Sequence, residues 1–106
     1  MTTIALAAGT EHDEVWLLRL YVAGQSPKSL HAFANLEKLC EELLTGRYEI
    51  EVVDLVEHPD RAQADDILAI PTLVRRHPAP LRKAIGDLSN TARVLVDLQL
   101  QPGVLR

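Results

Sequence analysis

The stretch ILAIPTLVRR, residues 67–76, places Pro71 directly before a short run of strand-forming residues. Proline cannot donate a backbone hydrogen bond, so it is tolerated at the start of a strand but not inside a central one. Residues 72–76 therefore predict a strand that begins immediately after Pro71. The fold then depends on which elements surround this strand.

Upstream of Pro71 the sequence predicts a strand, a helix and a second strand. Residues 15–23, VWLLRLYVA, form a short apolar run that is typical of a strand buried on both faces. Ser26-Pro27 supplies a helix cap and a first helical residue, and an apolar stripe at helical spacing continues to Thr45-Gly46. Residues 48–56 predict the second strand. A strand, a helix and a further strand indicate a right-handed parallel unit.

Downstream elements follow from the same patterns of apolar residues and turn residues. Their predicted bounds are a short helix from His58-Pro59-Asp60 to near Leu68, a strand at 72–76, a Pro78-Ala79-Pro80 turn, a strand at 81–86, and a last helix capped by Ser89 and ended by Gln101-Pro102-Gly103.

The resulting order, βαβαββα, predicts a single α/β domain with a thioredoxin-like sheet and flanking helices. Ile70-Pro71-Thr72-Leu73 resembles the thioredoxin stretch that carries a cis proline, which makes Pro71 a candidate structural cis proline. We predict that residues 14–101 form this domain, with a flexible N-terminal arm at 1–13 and a tail at 102–106.

The residues that carry thioredoxin chemistry are missing. Thioredoxins place two cysteines at the N-terminus of the first helix, where the helix dipole lowers the pKa of the first thiol. Ser26 and Ser29 stand at these positions, and the single cysteine, Cys40, lies on the apolar stripe of the helix. We therefore interpret the serines as a redox-site remnant and Cys40 as a buried, inert thiol. The alternative is a thioredoxin-fold redox or transferase enzyme that has lost its Cys-x-x-Cys.

Composition disfavours several other classes of function. A net charge of −4 and 4% aromatic residues provide no footprint for nucleic acid. No apolar run approaches the roughly 20 residues that span a bilayer, and a single cysteine suits the cytoplasm. We interpret Asp65-Asp66 as a solvated surface rather than an acid–base pair. The histidines show no ligand spacing and no nucleotide-binding motif occurs, so no catalytic residue, cofactor or metal site is predicted.

A basic cluster flanks the proline-rich turn, and it consists of Arg75, Arg76, Arg82 and Lys83. Charged residues on an edge strand can have the simple role of deterring aggregation. On composition, this interpretation of the cluster is favoured over a binding patch. Most acidic residues lie earlier in the chain, which gives the surface a polarity that suits docking on a charged protein.

Three motifs, in order, resemble the KaiB family of circadian-clock proteins from about Leu18 to Leu100. They are Leu20-Tyr21-Val22-Ala23-Gly24 followed by Ser26-Pro27 and Ser29, then Ile67-Leu68-Ala69 with Pro71-Thr72-Leu73, then Ile85-Gly86-Asp87-Leu88-Ser89. The chain departs from the family pattern where basic residues are usual, at His31, Ala34 and Asp66, and at Ile70 where threonine is usual. The basic residues of the family's hairpin are retained at Arg75, Arg82 and Lys83.

The resemblance implies a non-enzymatic protein that binds and modulates the hexameric ATPase KaiC, in circadian timing or in a stress response. KaiA and a clock-linked histidine kinase are further implied partners, and a stand-alone sensory domain for such a kinase is a second alternative. The resemblance assigns partner binding to Arg75, Arg82 and Lys83, and it implies a homo-oligomer, dimer or tetramer, when the chain is free.

Family members also adopt a second fold, βαββααβ, in which the C-terminal half is rearranged and the chain forms a tetramer. The segment 94–100 is helical in one form and strand-like in the other. The family commonly carries Gly where this chain has Asp97, and Asp where it has Gln99. Since Gly and Asp are the poorer helix formers, both differences are expected to favour the thioredoxin-like form, by less than about 1 kcal/mol in total.

Overall fold

The computed structural model describes residues 14–100. The predicted N-terminal arm at 1–13, the tail at 102–106 and the helix stop at Gln101-Pro102-Gly103 lie outside these residues. The elements are, in order, β1 (Trp16–Val22), α1 (Pro27–Leu43), β2 (Tyr48–Asp54), a 3-10 helix (Pro59–Asp65), β3 (Thr72–His77), β4 (Arg82–Ile85) and α2 (Thr91–Leu98).

The four strands form one mixed sheet in the order β2-β1-β3-β4. Strand β1 is parallel to β2 and antiparallel to β3, and β3 is antiparallel to β4. In this register Leu20 lies opposite both Val52 and Leu73. The parallel pair requires a crossover, which α1 supplies, and the last two strands form the hairpin expected around the proline-rich turn. The α/β thioredoxin-like prediction is confirmed.

The two faces of the sheet are covered unequally. One face packs against α1 and α2 in a core that includes Leu20, Leu73, Leu36 and Leu98. The opposite face carries a smaller cluster. It consists of Tyr21, Val53 and Val74, with Leu55 and Ile67 packed against it. The buried Asp65 of the 3-10 helix also lies on this face, where it accepts a hydrogen bond from Tyr21.

Helix α1 begins and ends where its sequence predicts. Ser26 caps it, accepting a hydrogen bond from the Ser29 amide, and Pro27 is the first helical residue. Cys40 is buried, and burial, with smaller effects of Glu41 and Glu37, raises the pKa of its thiol to about 12. The expectation of a buried cysteine is confirmed.

The N-terminal cap of α2 differs from the prediction. Asn90, not Ser89, is the cap, and its side-chain oxygen accepts from the Arg93 amide at 3.1 Å. Ser89 belongs instead to the preceding turn, where its amide donates to the Asp87 carboxylate at 3.0 Å. Leu88 adopts a left-handed conformation in that turn, with φ at 65°. The helix therefore begins one residue later than the Ser89 cap implied.

The C-terminal end of α2 also differs from the prediction. The helix ends at Leu98, and Gln99 has φ 54° and ψ 40° in the left-handed region. The expectation that Gln99 supports the helix as an interior residue is therefore wrong. Asp97 does lie within the helix, where its carboxylate pairs with Arg93 at 3.4 Å.

The Ile70–Pro71 peptide bond is cis, as are His77–Pro78 and Ala79–Pro80. Within residues 14–100, no helix is long and apolar enough to cross a membrane.

Candidate partner-binding surface

The two serines that replace a redox pair tie α1 to the end of β1. Their hydroxyl oxygens lie 2.9 Å apart, and the Ser29 hydroxyl accepts a hydrogen bond from the Ala23 amide at 3.1 Å. Ser29 is buried. The pair therefore has a structural use, as a helix cap and as a link between the helix and the strand.

Arg75 does not lie on the surface. It is 4% exposed, and its guanidinium donates to the carbonyl oxygens of Leu98 at 2.6 Å and Pro80 at 2.7 Å. Its guanidinium carbon lies 5.2 Å from the centre of the Trp16 ring, a cation–π distance. Burial, together with the charge of Arg82, lowers the pKa of Arg75. In this conformation Arg75 fastens α2 to the hairpin and cannot meet a partner.

The other hairpin cations are more accessible. Arg82 and Lys83 are half-buried, and the Lys83 ammonium donates to the Asp66 carbonyl at 3.2 Å. Among residues 14–100, neither Arg82 nor Lys83 pairs with a carboxylate. Arg76, whose side chain is 39% exposed, completes this group. We refer to Arg76, Arg82 and Lys83 as the hairpin cations.

A buried carboxylate at the end of the 3-10 helix is the feature that the sequence interpretation missed. The Asp65 side chain is 2% exposed, so the prediction of a solvated Asp65 is wrong. It accepts hydrogen bonds from the Tyr21 hydroxyl at 2.7 Å, Arg76 at 3.0 Å and Arg19 at 3.3 Å. We refer to Asp65, Tyr21, Arg19 and Arg76 as the Asp65 cluster.

The electrostatics of the Asp65 cluster favour the charged carboxylate. Burial alone would raise the pKa of Asp65, but the hydrogen bond from Tyr21 and the charges of Arg76 and Arg19 outweigh it and hold the pKa below its usual value. Arg19 also pairs with Glu51 at 2.7 Å, and Glu51 pairs with Arg61 of the 3-10 helix at 3.1 Å. The network thus links the 3-10 helix to β1, β2 and β3.

Side chains that could hold a metal ion are not grouped anywhere in the described part of the chain.

Two kinds of feature lie near the β3–β4 hairpin. The hairpin cations are accessible, while Asp65 and Arg75 hold the surrounding segments in place.

Comparison with known proteins identifies the family of this chain. The KaiB domain model matches residues 19–100. Circadian clock protein KaiB3 from Synechocystis sp. is 43% identical over 86 residues, which cover 81% of this chain and 84% of that protein. Circadian clock oscillator protein KaiB from Microcystis aeruginosa is 44% identical over 87 residues, covering 82% of this chain and 84% of that protein.

Solved structures show the same fold at low identity. The N-terminal domain of SasA from Synechococcus elongatus has a TM-score of 0.68 at 20% identity, covering 91% of this chain and 87% of that one. Mitochondrial thioredoxin 3 from Saccharomyces cerevisiae has a TM-score of 0.62 at 21% identity, covering 92% and 90%. The family model spans most of the chain and the clock proteins share over two fifths of the aligned residues, so the chain belongs to the KaiB family.

Proposed function

We propose that this chain is a non-enzymatic regulatory protein that binds a KaiC-type hexameric ATPase and modulates its activity, in circadian timing or a stress response. The observation that carries the proposal is the similarity to circadian clock proteins over more than four fifths of both chains. The three sequence motifs that identify the family all lie in the described domain.

The chemistry of the thioredoxin-like site supports a binding role rather than a redox role. Ser26 and Ser29 occupy the cysteine-like positions, and their hydroxyls are engaged in helix capping and backbone contacts. The pKa of the Cys40 thiol is raised to about 12, which leaves almost no thiolate at neutral pH. The chain therefore keeps the thioredoxin-like fold but has no activated nucleophile where a thioredoxin carries its redox cysteines.

The hairpin cations are the proposed electrostatic part of the docking surface. Arg82 and Lys83 lie on β4, and Arg76 lies near the end of β3. Arg75 leaves the proposed set because it is buried. Cations at the edge of an interface steer association toward a carboxylate-bearing partner and weaken binding when reversed in charge.

Further parts of the proposal concern assembly and location. We place the protein in the cytoplasm, with KaiA or a clock-linked histidine kinase as additional partners and a dimer or tetramer as the free form. The described conformation is the thioredoxin-like one, which is the form that the family resemblance assigns to KaiC binding.

The test is a binding measurement with the purified KaiC-type ATPase of the same organism, followed by its ATPase rate with and without this chain. We expect binding by the wild type and about 10- to 100-fold weaker binding by the double variant Arg82→Glu, Lys83→Glu. Lys38→Glu, an exposed reversal on α1, is the matched control and should bind like the wild type.

The proposal fails if the wild-type chain neither binds the ATPase nor changes its rate. An insulin-reduction assay with dithiothreitol addresses the redox alternative directly. Turnover that survives Cys40→Ala would assign the chain an enzymatic activity that the proposal denies.

A further inference from the structure

Three large apolar side chains are exposed at the end of the β3–β4 ladder where β3 begins and β4 ends, and we refer to Leu68, Ile70 and Ile85 as the apolar ridge. Leu68 is 96% exposed, Ile85 68% and Ile70 41%. Ile85 lies opposite Thr72 in the β3–β4 ladder, and Thr72 is two residues after Ile70 in the sequence. Lys83 lies on the same face of β4 as Ile85. Single exposed apolar residues are ordinary, but several grouped at one end of a sheet indicate an interaction site.

The loop that carries Leu68 is fixed at both ends. The Ile67 amide donates to the Ala62 carbonyl at 2.9 Å, and the Thr72 hydroxyl donates to the Ala69 carbonyl at 2.8 Å. The Lys83 ammonium reaches the Asp66 carbonyl at 3.2 Å and so holds the loop against β4.

Two further contacts hold the same segment. The Gly86 amide donates to the Pro71 carbonyl at 2.9 Å, and the Ile67 side chain packs on the small cluster beneath the 3-10 helix. Leu68 is therefore exposed although its neighbours are anchored. A surface held in this way loses little conformational entropy when a partner docks, which favours affinity.

The charges around the apolar ridge define the chemistry of its partner. Lys83, which lies on the same face of β4 as Ile85, lacks a carboxylate partner within the described residues, whereas Arg82 lies on the opposite face. A complementary surface would bury the apolar side chains in an apolar pocket and place a carboxylate against Lys83. The geometry points to the apolar ridge as the central contact of the docking surface for the KaiC-type ATPase, an inference that rests on the function proposed above.

The experiment measures the dissociation constant for the purified KaiC-type hexamer of the same organism by biolayer interferometry. Leu68→Ala and Ile85→Ala should each weaken binding by about tenfold, and Leu68→Asp by at least about 100-fold. Val96→Ala is the matched control, because Val96 is 72% exposed on α2, which covers the opposite face of the sheet from Lys83 and Ile85, and it should bind within about twofold of wild type. Thermal unfolding should show that Leu68 variants fold normally, since that side chain is almost fully exposed.

The outcomes separate the two proposals. If the wild-type chain does not bind the hexamer, the proposed function is wrong, and the assignment of the apolar ridge is wrong as well. If the wild type binds but Leu68→Asp and Ile85→Ala change the dissociation constant by less than about twofold, the assignment of the apolar ridge is wrong while the proposed function stands. If Leu68→Asp changes the oligomeric state by light scattering but not the affinity, the ridge is a contact between copies of this chain, and the inference is wrong.

Discussion

Replacing Asp65 with asparagine tests whether the Asp65 cluster stabilises the fold. The substitution keeps the size of the side chain and its hydrogen-bond acceptor for Tyr21, but removes the charge that Arg19 and Arg76 share. Breaking a buried ion pair on one side costs about 3–5 kcal/mol, because the remaining charge is left uncompensated.

Two features of this site reduce that cost. Arg19 keeps its bond to Glu51 at 2.7 Å, and Arg76 is 39% exposed and can be hydrated. We therefore expect a loss of about 2–3 kcal/mol in the free energy of unfolding, which corresponds to a fall of roughly 10–20 °C in the thermal midpoint for a domain of this size.

The assay is urea unfolding followed by circular dichroism, with thermal unfolding as a second measurement. Asp97→Asn is the control, because it removes a carboxylate from an exposed pair with Arg93 and should change stability by less than about 0.5 kcal/mol. An Asp65→Asn protein within about 0.5 kcal/mol of wild type would show that the cluster contributes only geometry.

The pH dependence has a definite sign. The pKa of Asp65 is lower in the folded chain than in the unfolded one, so its contribution is fully present above the unfolded pKa of about 4. As pH falls below about 4 and through the folded pKa, the folded chain loses this advantage, and the wild type should approach Asp65→Asn in stability. A difference between the two that stays constant from pH 7 to below pH 3 would contradict this account.

Three further predictions concern other parts of the chain. Arg75→Lys should lower the free energy of unfolding by about 1–2 kcal/mol in urea unfolding, because one ammonium cannot reproduce the fork that bonds two carbonyls. Equal stability of the variant would rule out that fork. Cys40 should react with a thiol reagent at least about 100-fold more slowly in the native chain than in urea, and fast native labelling would show an accessible thiolate. Gln99→Gly should stabilise the described form by about 0.5–1 kcal/mol, whereas Asp97→Gly should destabilise it by a few tenths. Solution backbone chemical shifts and urea midpoints check both signs, and a destabilised Gln99→Gly would show that φ at this position is not limiting.

The sheet and first helix could be predicted because their signals are local. The apolar run that became β1 and the stripe along α1 depend on residues that are neighbours in sequence. The Ser26-Pro27 start is likewise local, since a cap needs only the first helical turn. The order of elements then limits the topology to a few arrangements, of which the observed sheet is one.

The burial of Arg75 was predictable in principle from strand alternation. Arg75 shares its face of β3 with Leu73, which is fully buried in the main core. Because successive side chains of a strand point to opposite faces of the sheet, the Arg75 side chain points toward the helices, as that of Leu73 does. The prediction of a surface cation came from its charge and from the family resemblance, and charge alone does not determine exposure when backbone carbonyls can accept from the guanidinium.

Asp65 is a different case, because no local pattern marks it as buried. It and Asp66 are adjacent acidic residues at the end of a short helix, which ordinarily indicates a solvated turn. The usable signal lay 46 residues away in sequence, at Arg19. A cation in an otherwise apolar strand needs a partner, but the sequence does not say which carboxylate the fold brings to it.

For the second fold that the family resemblance implies, we expect the preference between the two forms to depend on such distant contacts more than on local propensity. Asp97 in place of glycine favours α2 by only a few tenths of a kcal/mol. Gln99 acts in the opposite direction, because aspartate adopts left-handed backbone more readily than glutamine does. The two differences therefore largely cancel. Arg75, by contrast, joins β3 to the last turn of α2 through the Leu98 carbonyl at 2.6 Å, and a rearranged C-terminal half would have to give up this charge-assisted bond. Hydrogen bonds to charged groups contribute about 1.5–3 kcal/mol, so this one contact outweighs the differences in helix propensity at positions 97 and 99.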